Sequence, residues 1–95
     1  MMSPHRIEKI SNLYKLLSSS TRLAIVIKLL ENGELTVGEI SDLVDQPISN
    51  VSQHLKRLKL SDLVGMRRNG LSHIYYVTEP LVSDMFFTAS SILDV

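Results

Sequence analysis

Apolar residues recur along this chain at helical spacing in most segments and at strand spacing in one. Ile7, Ile10, Leu13, Tyr14 and Leu17 follow a three/four spacing, which predicts a first helix over 7–17. The run Ser18-Ser19-Ser20 interrupts it. Ser19 is suited to cap a second helix over 20–32, and Gly33 to end it. Leu23, Ala24, Ile25, Val26, Ile27, Leu29 and Leu30 leave that helix apolar nearly all round. Such a helix is expected to be a central pillar buried on most sides, with Arg22 and Lys28 needing a partner or a path to solvent. Glu34-Leu35-Thr36 reads as a short extended link. Thr36 and Glu39 form a Thr-x-x-Glu capping box at the start of a third helix, whose apolar side is Ile40, Leu43 and Val44.

Asp45-Gln46-Pro47 is a tight turn, and a fourth helix follows. Pro47 suits its first position, where a missing N–H has no partner to lose. Val51, Leu55 and Leu58 make one apolar stripe, while Asn50, Ser52, Gln53, Lys56, Arg57 and Lys59 lie elsewhere on the cylinder. Two short helices joined by such a turn are a helix-turn-helix, here over 37–61. After Leu63 the period changes. Leu63–Arg68 and Ser72–Val77 read as strands, and Asn69-Gly70 between them predicts a type I′ hairpin turn. Arg67, Arg68 and His73 fall near the tip, and Tyr75 or Ile74 is the better candidate for the core side. A helix-turn-helix followed by a basic-tipped hairpin is a winged helix, with the wing over 63–77.

Pro80 opens a last helix, expected over 80–94, with a stripe of Leu81, Met85, Phe86, Ala89, Ile92 and Leu93. So small a domain has little core left for this stripe or for the first helix to cover. The two surplus faces predict a homodimer seam that includes Ile10, Leu13, Leu81, Met85, Ala89 and Ile92. The expected architecture is mainly α with a small β-hairpin. It is a single dimeric winged helix-turn-helix domain over 1–95, in the order helix, helix, short strand, helix, helix, strand, strand, helix.

Composition narrows the function. Ninety-five residues, 44% of them hydrophobic, support one modest core and argue against disorder. With no cysteine there can be no disulfide, no zinc–thiolate site and no thiol switch. No apolar run reaches the length of a membrane span, and the first ten residues lack the apolar core of a signal peptide, so a cytoplasmic location is expected. Net charge is zero, but it is divided unevenly. Between Ser49 and Tyr76 five cations face the single acid Asp62, while the rest of the chain holds five cations and nine acids. Local fields, not totals, govern contact with phosphates.

The polar residues at the front of the fourth helix and the cations at its back are in the order needed by a helix that enters the DNA major groove N-terminus first. Ser and Gln can meet base edges; Lys and Arg neutralise phosphates. A solvated amphipathic helix would share part of this pattern, and a winged helix whose basic face meets an acidic protein partner is the alternative reading. No nucleophile–base pair, glycine-rich phosphate loop or paired acid set points to an enzyme. His5 near the N-terminus is expected to be incidental and frayed. His54, beside the apolar stripe, is expected to be packed, and His73 on the wing to meet phosphate or solvent.

Three stretches carry a family resemblance: SSSTRLAIVIKLLENGELTVGEI, ISNVSQHLKRLKLSDLV and RRNGLSHIYYV. They resemble the ArsR/SmtB family of repressors over about residues 7 to 95. The most specific parts are S-x-V-S-x-H-L-x-x-L at Ser49–Leu58 and G-x-x-x-I-Y at Gly70–Tyr75. The resemblance implies a homodimer that sits on an operator in double-stranded DNA and blocks transcription. It places Ser49, Ser52 and Gln53 at bases, and Asn50, Lys56, Arg67 and Arg68 at the backbone.

The chain departs from the family's metal sensors. Where one sensor type has cysteines, this sequence has Thr36 and Gly38; where another has its first Asp and His ligands, it has Pro80 and Val82. A later histidine position falls near Leu93. Asp84 and Asp94 remain on that helix with no histidine beside them, a weak set for a transition metal. No metal and no cofactor are expected, and the sequence names no inducer.

Overall fold

The computed structural model describes residues 1–80 and 82–84. Its elements run α1 (Pro4–Leu17), α2 (Ser20–Asn32), β1 (Leu35–Thr36), α3 (Val37–Val44), α4 (Ile48–Leu60), β2 (Val64–Asn69) and β3 (Ser72–Val77). Pro80 and residues 82–84 are helical again. The rest of the expected last helix, with Leu81, Met85, Ala89 and Ile92, lies outside the described residues.

Side-chain caps set the starts of α1, α2 and α3. Ser3 accepts from the Arg6 N–H at 3.2 Å and Ser19 from the Arg22 N–H at 3.3 Å. At α3 the capping box is complete. Thr36 Oγ1 accepts from the Glu39 N–H at 3.2 Å, and Glu39 Oε1 accepts from the Thr36 N–H at 2.9 Å. Those two bonds hold the Glu39 carboxyl below the ordinary carboxylate range. Thr36→Ala removes the cap and should cost about 1 kcal/mol in urea unfolding. A loss under about 0.3 kcal/mol would mean that the box contributes no net stability.

Several elements differ from the sequence reading. The first helix starts three residues earlier than expected, because Ser3 caps it and Pro4 fits its first turn; His5 is therefore helical. Pro47 is the residue before α4 rather than its first, with ψ of 145°. A proline there caps by its carbonyl, which accepts from the Asn50 and Val51 N–H groups at 3.0 Å. The second helix is buried or half-buried over most of its surface, with Leu23 the exception among its apolar residues. Ile25, Val26 and Leu29 are enclosed, whereas Leu23 is 41% exposed. Its two cations find partners: Arg22 Nε donates to the Leu16 carbonyl at 2.6 Å, and Lys28 pairs with Glu31 at 3.2 Å.

The short strand expected after α2 is present and lies at the edge of the sheet. The sheet order is β1-β3-β2, all antiparallel, with Leu35 opposite Tyr75 and Thr36 opposite Ile74. β2 begins one residue later than expected, since Leu63 turns into the core at 1% exposure. Asn69 pairs with Ser72, so the loop residues are Gly70 and Leu71 instead of Asn69 and Gly70. Of these, only Gly70 has positive φ, at 65°. A glycine at the first loop position is the type II′ arrangement rather than type I′. Lower down the wing the Tyr76 ring covers Gly65, where a Cβ would come within 2.6 Å of it.

The core gathers Leu16, Leu17, Ile25, Val26, Leu29, Ile40, Val51, Leu55, Leu58, Leu63 and Val64 from every helix and the base of the wing. Val82 joins it at 2% exposure, and Leu13 and Tyr75 pack against it. The stripe Val51, Leu55 and Leu58 is fully enclosed, which fixes which side of α4 faces outward.

Candidate nucleic-acid interface

The turn between α3 and α4 aims the fourth helix. Asp45 ends α3 in the left-handed region, with φ of 54°. Aspartate tolerates that conformation better than most residues. The Gln46 N–H donates to the Ser41 carbonyl at 3.2 Å, and the Ser41 hydroxyl donates back to the Gln46 carbonyl. The Asn50 side-chain amide donates to Gln46 Oε1 at 2.9 Å. Three bonds thus latch the turn to both helices.

With the apolar stripe sealed inside, Ser49, Ser52, Gln53 and Lys56 are exposed. At 100° per residue they share an arc of about 100° on the outer face of α4. Asn50 is half-buried, and its amide is engaged by Gln46. Its structural role is to brace the turn. His54 lies at the edge of the core, half-buried. Burial, then the charges of Arg22 and Arg57, push its pKa down, so the imidazole resists protonation.

The wing supplies the second group. Arg68 and His73 face each other across the hairpin, both exposed, one residue below the Asn69–Ser72 pair. Arg67 is also exposed but already has a partner. Its Nη2 lies 2.6 Å from Glu34 Oε2 and its Nε 3.5 Å from Glu34 Oε1. This forked contact holds the Glu34 carboxyl below its ordinary range and raises the Arg67 pKa. Sequence reasoning assigned Arg67 to phosphate and missed Glu34. The signal was the position of Glu34 just ahead of Leu35, whose strand adds to β3 beside the wing.

No group of three or more His, Cys, Asp or Glu side chains that could hold a metal occurs among the described residues. Thr36, at one family ligand position, has its hydroxyl committed to the helix cap. Among the described residues no helix is long and apolar enough to cross a membrane.

A bilaterally latched helix-turn-helix with a basic hairpin beside it defines a winged-helix DNA-binding module. The model for the bacterial regulatory proteins of the arsR family matches residues 19–65. An HTH-type transcriptional regulator of Methanocaldococcus jannaschii is 33% identical over 78 residues, which are 82% of this chain and 88% of the relative. The arsenical resistance operon repressor of Escherichia coli K12 is 38% identical over 68 residues, 72% of this chain and 57% of the relative. Among solved structures, the transcriptional repressor BigR from Xylella fastidiosa superposes with a TM-score of 0.84 at 32% identity, covering 97% of both chains. The chain belongs to the ArsR family. It is a DNA-binding transcriptional regulator of winged-helix fold, and the relatives it matches are regulators rather than enzymes.

Proposed function

We propose that the chain works in the cytoplasm as a homodimeric repressor on an inverted-repeat operator. In this reading residues 1–95 form one domain. Ser49, Ser52 and Gln53 meet base edges from the outer face of α4, and Lys56, Arg67, Arg68 and His73 hold the DNA backbone. Asn50 contributes from the turn, through its bond to Gln46. The observation that carries this reading is the outward arc of α4, polar at its front and basic behind, beside a wing whose cations are exposed. Two half-sites require two copies. Ile7 and Tyr14 on α1 are 54% and 59% exposed, and Ile10 shares their side of the helix. Leu13 packs against its own core, so the α1 part of the seam rests on Ile7, Ile10 and Tyr14.

Sedimentation velocity at micromolar concentration tests the assembly. The wild-type chain should run at twice its 10.7 kDa. Ile7→Glu places a charge in the seam twice over and should yield monomer with an unchanged circular dichroism spectrum. A wild-type monomer, or an Ile7→Glu dimer as tight as wild type, contradicts this arrangement.

A further inference from the structure

A cavity of about 450 Å³ opens between α1 and the C-terminal end of α4. Its volume lies within the range of small-molecule sites. Leu13, Leu16 and Leu63 line it with apolar surface. Lys9 and Lys15 line it from α1, and Arg57 from the last turn of α4. Glu79 also lines it, paired with Lys9 at 3.4 Å. Lys15 and Arg57 have no ion-pair partner among the described residues. Asn12 and Ser61 add neutral hydrogen-bonding groups.

The cavity adjoins the surface already assigned on α4 without coinciding with it: Arg57 lies about 100° around the helix from Lys56 and about 40° beyond Gln53, just outside the outer arc. On α1, the row Lys9, Leu13 and Leu16 lies about 130° from the row Ile7, Ile10 and Tyr14. Among the described lining residues three cations face one acid, Glu79, and such a basic, partly apolar hollow suits a ligand that is acidic at one end and apolar at the other.

We propose that this cavity binds a small organic anion, its acid group between Lys15 and Arg57 and its apolar body against Leu13, Leu16 and Leu63. Such a ligand would touch α1 and the recognition helix together. Binding itself does not depend on the operator reading, so it can be tested without DNA.

The experiment is a titration of the ¹⁵N-labelled full chain with benzoate at constant ionic strength, followed by backbone amide shifts. Benzamide serves as the neutral isostere, and inorganic phosphate as an anion without an apolar body. The expected result is saturable shifts confined to residues 9–16 and 57–63 with benzoate, and none with benzamide or phosphate. Lys15→Gln with Arg57→Gln should weaken benzoate binding at least tenfold, while Lys56→Gln should not. Both substituted side chains are on exposed residues, and an unchanged spectrum elsewhere reports an intact fold. The proposal is overturned if benzoate gives no saturable shifts, if the largest shifts fall in the hairpin residues 64–77 or on Ile7, Ile10 and Tyr14, or if benzamide binds equally well. It is also overturned if the double variant binds as the wild type does, and equal binding of phosphate would remove the apolar body from the assignment.

Discussion

Replacing Arg67 and Arg68 together with alanine should flatten the dependence of log affinity on log salt by about two units, on operator and scrambled duplex alike. Each phosphate neutralised by a cation releases condensed counterions, and each adds about 0.9 to that slope on duplex DNA. If the 1 M intercept is unchanged, the loss extrapolates to about sixtyfold weaker binding at 0.1 M salt. The two arginines should not contribute equally. Arg68 is exposed and has no acidic partner among the described residues, whereas Arg67 must leave Glu34 before it can reach a phosphate. Arg68→Ala is therefore expected to weaken binding more than Arg67→Ala. Glu34→Gln should strengthen binding to both duplexes, because it removes a competing carboxylate and a like charge near the DNA. In a Glu34→Gln background, Arg67→Ala should cost more than it does in the wild type, and the difference measures the competition. Fluorescence anisotropy at four or more salt concentrations reads all of these. An unchanged slope in the double variant would show that the wing does not touch backbone phosphates.

The Glu34–Arg67 pair also marks the limit of what local pattern can reveal. Helix stripes, caps and breakers are short-range, and they placed α2, α3 and the buried stripe of α4 well. The capping box at Thr36 and Glu39 is present as the spacing implied, and Val51, Leu55 and Leu58 are all fully enclosed. What escaped depends on pairing across the fold. The short strand at Leu35 and Thr36 is legible as an extended piece, but not its partner, the open edge of β3. The hairpin shifted by one residue because cross-strand register, with Val64 opposite Val77, outweighs the turn preference of Asn-Gly. The apolar composition of the second helix implies enclosure on most sides, yet composition cannot say which position is left without a neighbour. Leu23 is left 41% exposed in the single chain. Among the candidate contacts, those on α4 followed from periodicity. The bracing role of Asn50 required Gln46 to be placed beside it by the turn.

Base reading and phosphate holding leave different signatures, and Gln53 separates them. Its side chain is exposed on the outer arc of α4 and makes no hydrogen bond among the described residues. In the proposed complex it meets DNA without first breaking an internal contact, unlike Asn50 or Arg67. A glutamine amide can pair in two places with an adenine edge, which offers both an acceptor and a donor in the major groove. Losing such a contact costs about 1–3 kcal/mol on the correct site, roughly fivefold to 150-fold in affinity. On scrambled duplex there is no matched edge to lose, so the same substitution should change little. Gln53→Ala should thus lower the ratio of specific to nonspecific affinity and leave the salt slope where it was, because no phosphate contact is removed. The measurement is anisotropy on the duplex that the wild-type chain selects from a random pool, with a scrambled duplex of equal composition beside it. Repeating that selection with Gln53→Ala should relax the preference at one base position in each half-site and keep the others. Equal losses on both duplexes would show that Gln53 holds the backbone instead, and the reading of bases would then fall to Ser49 and Ser52.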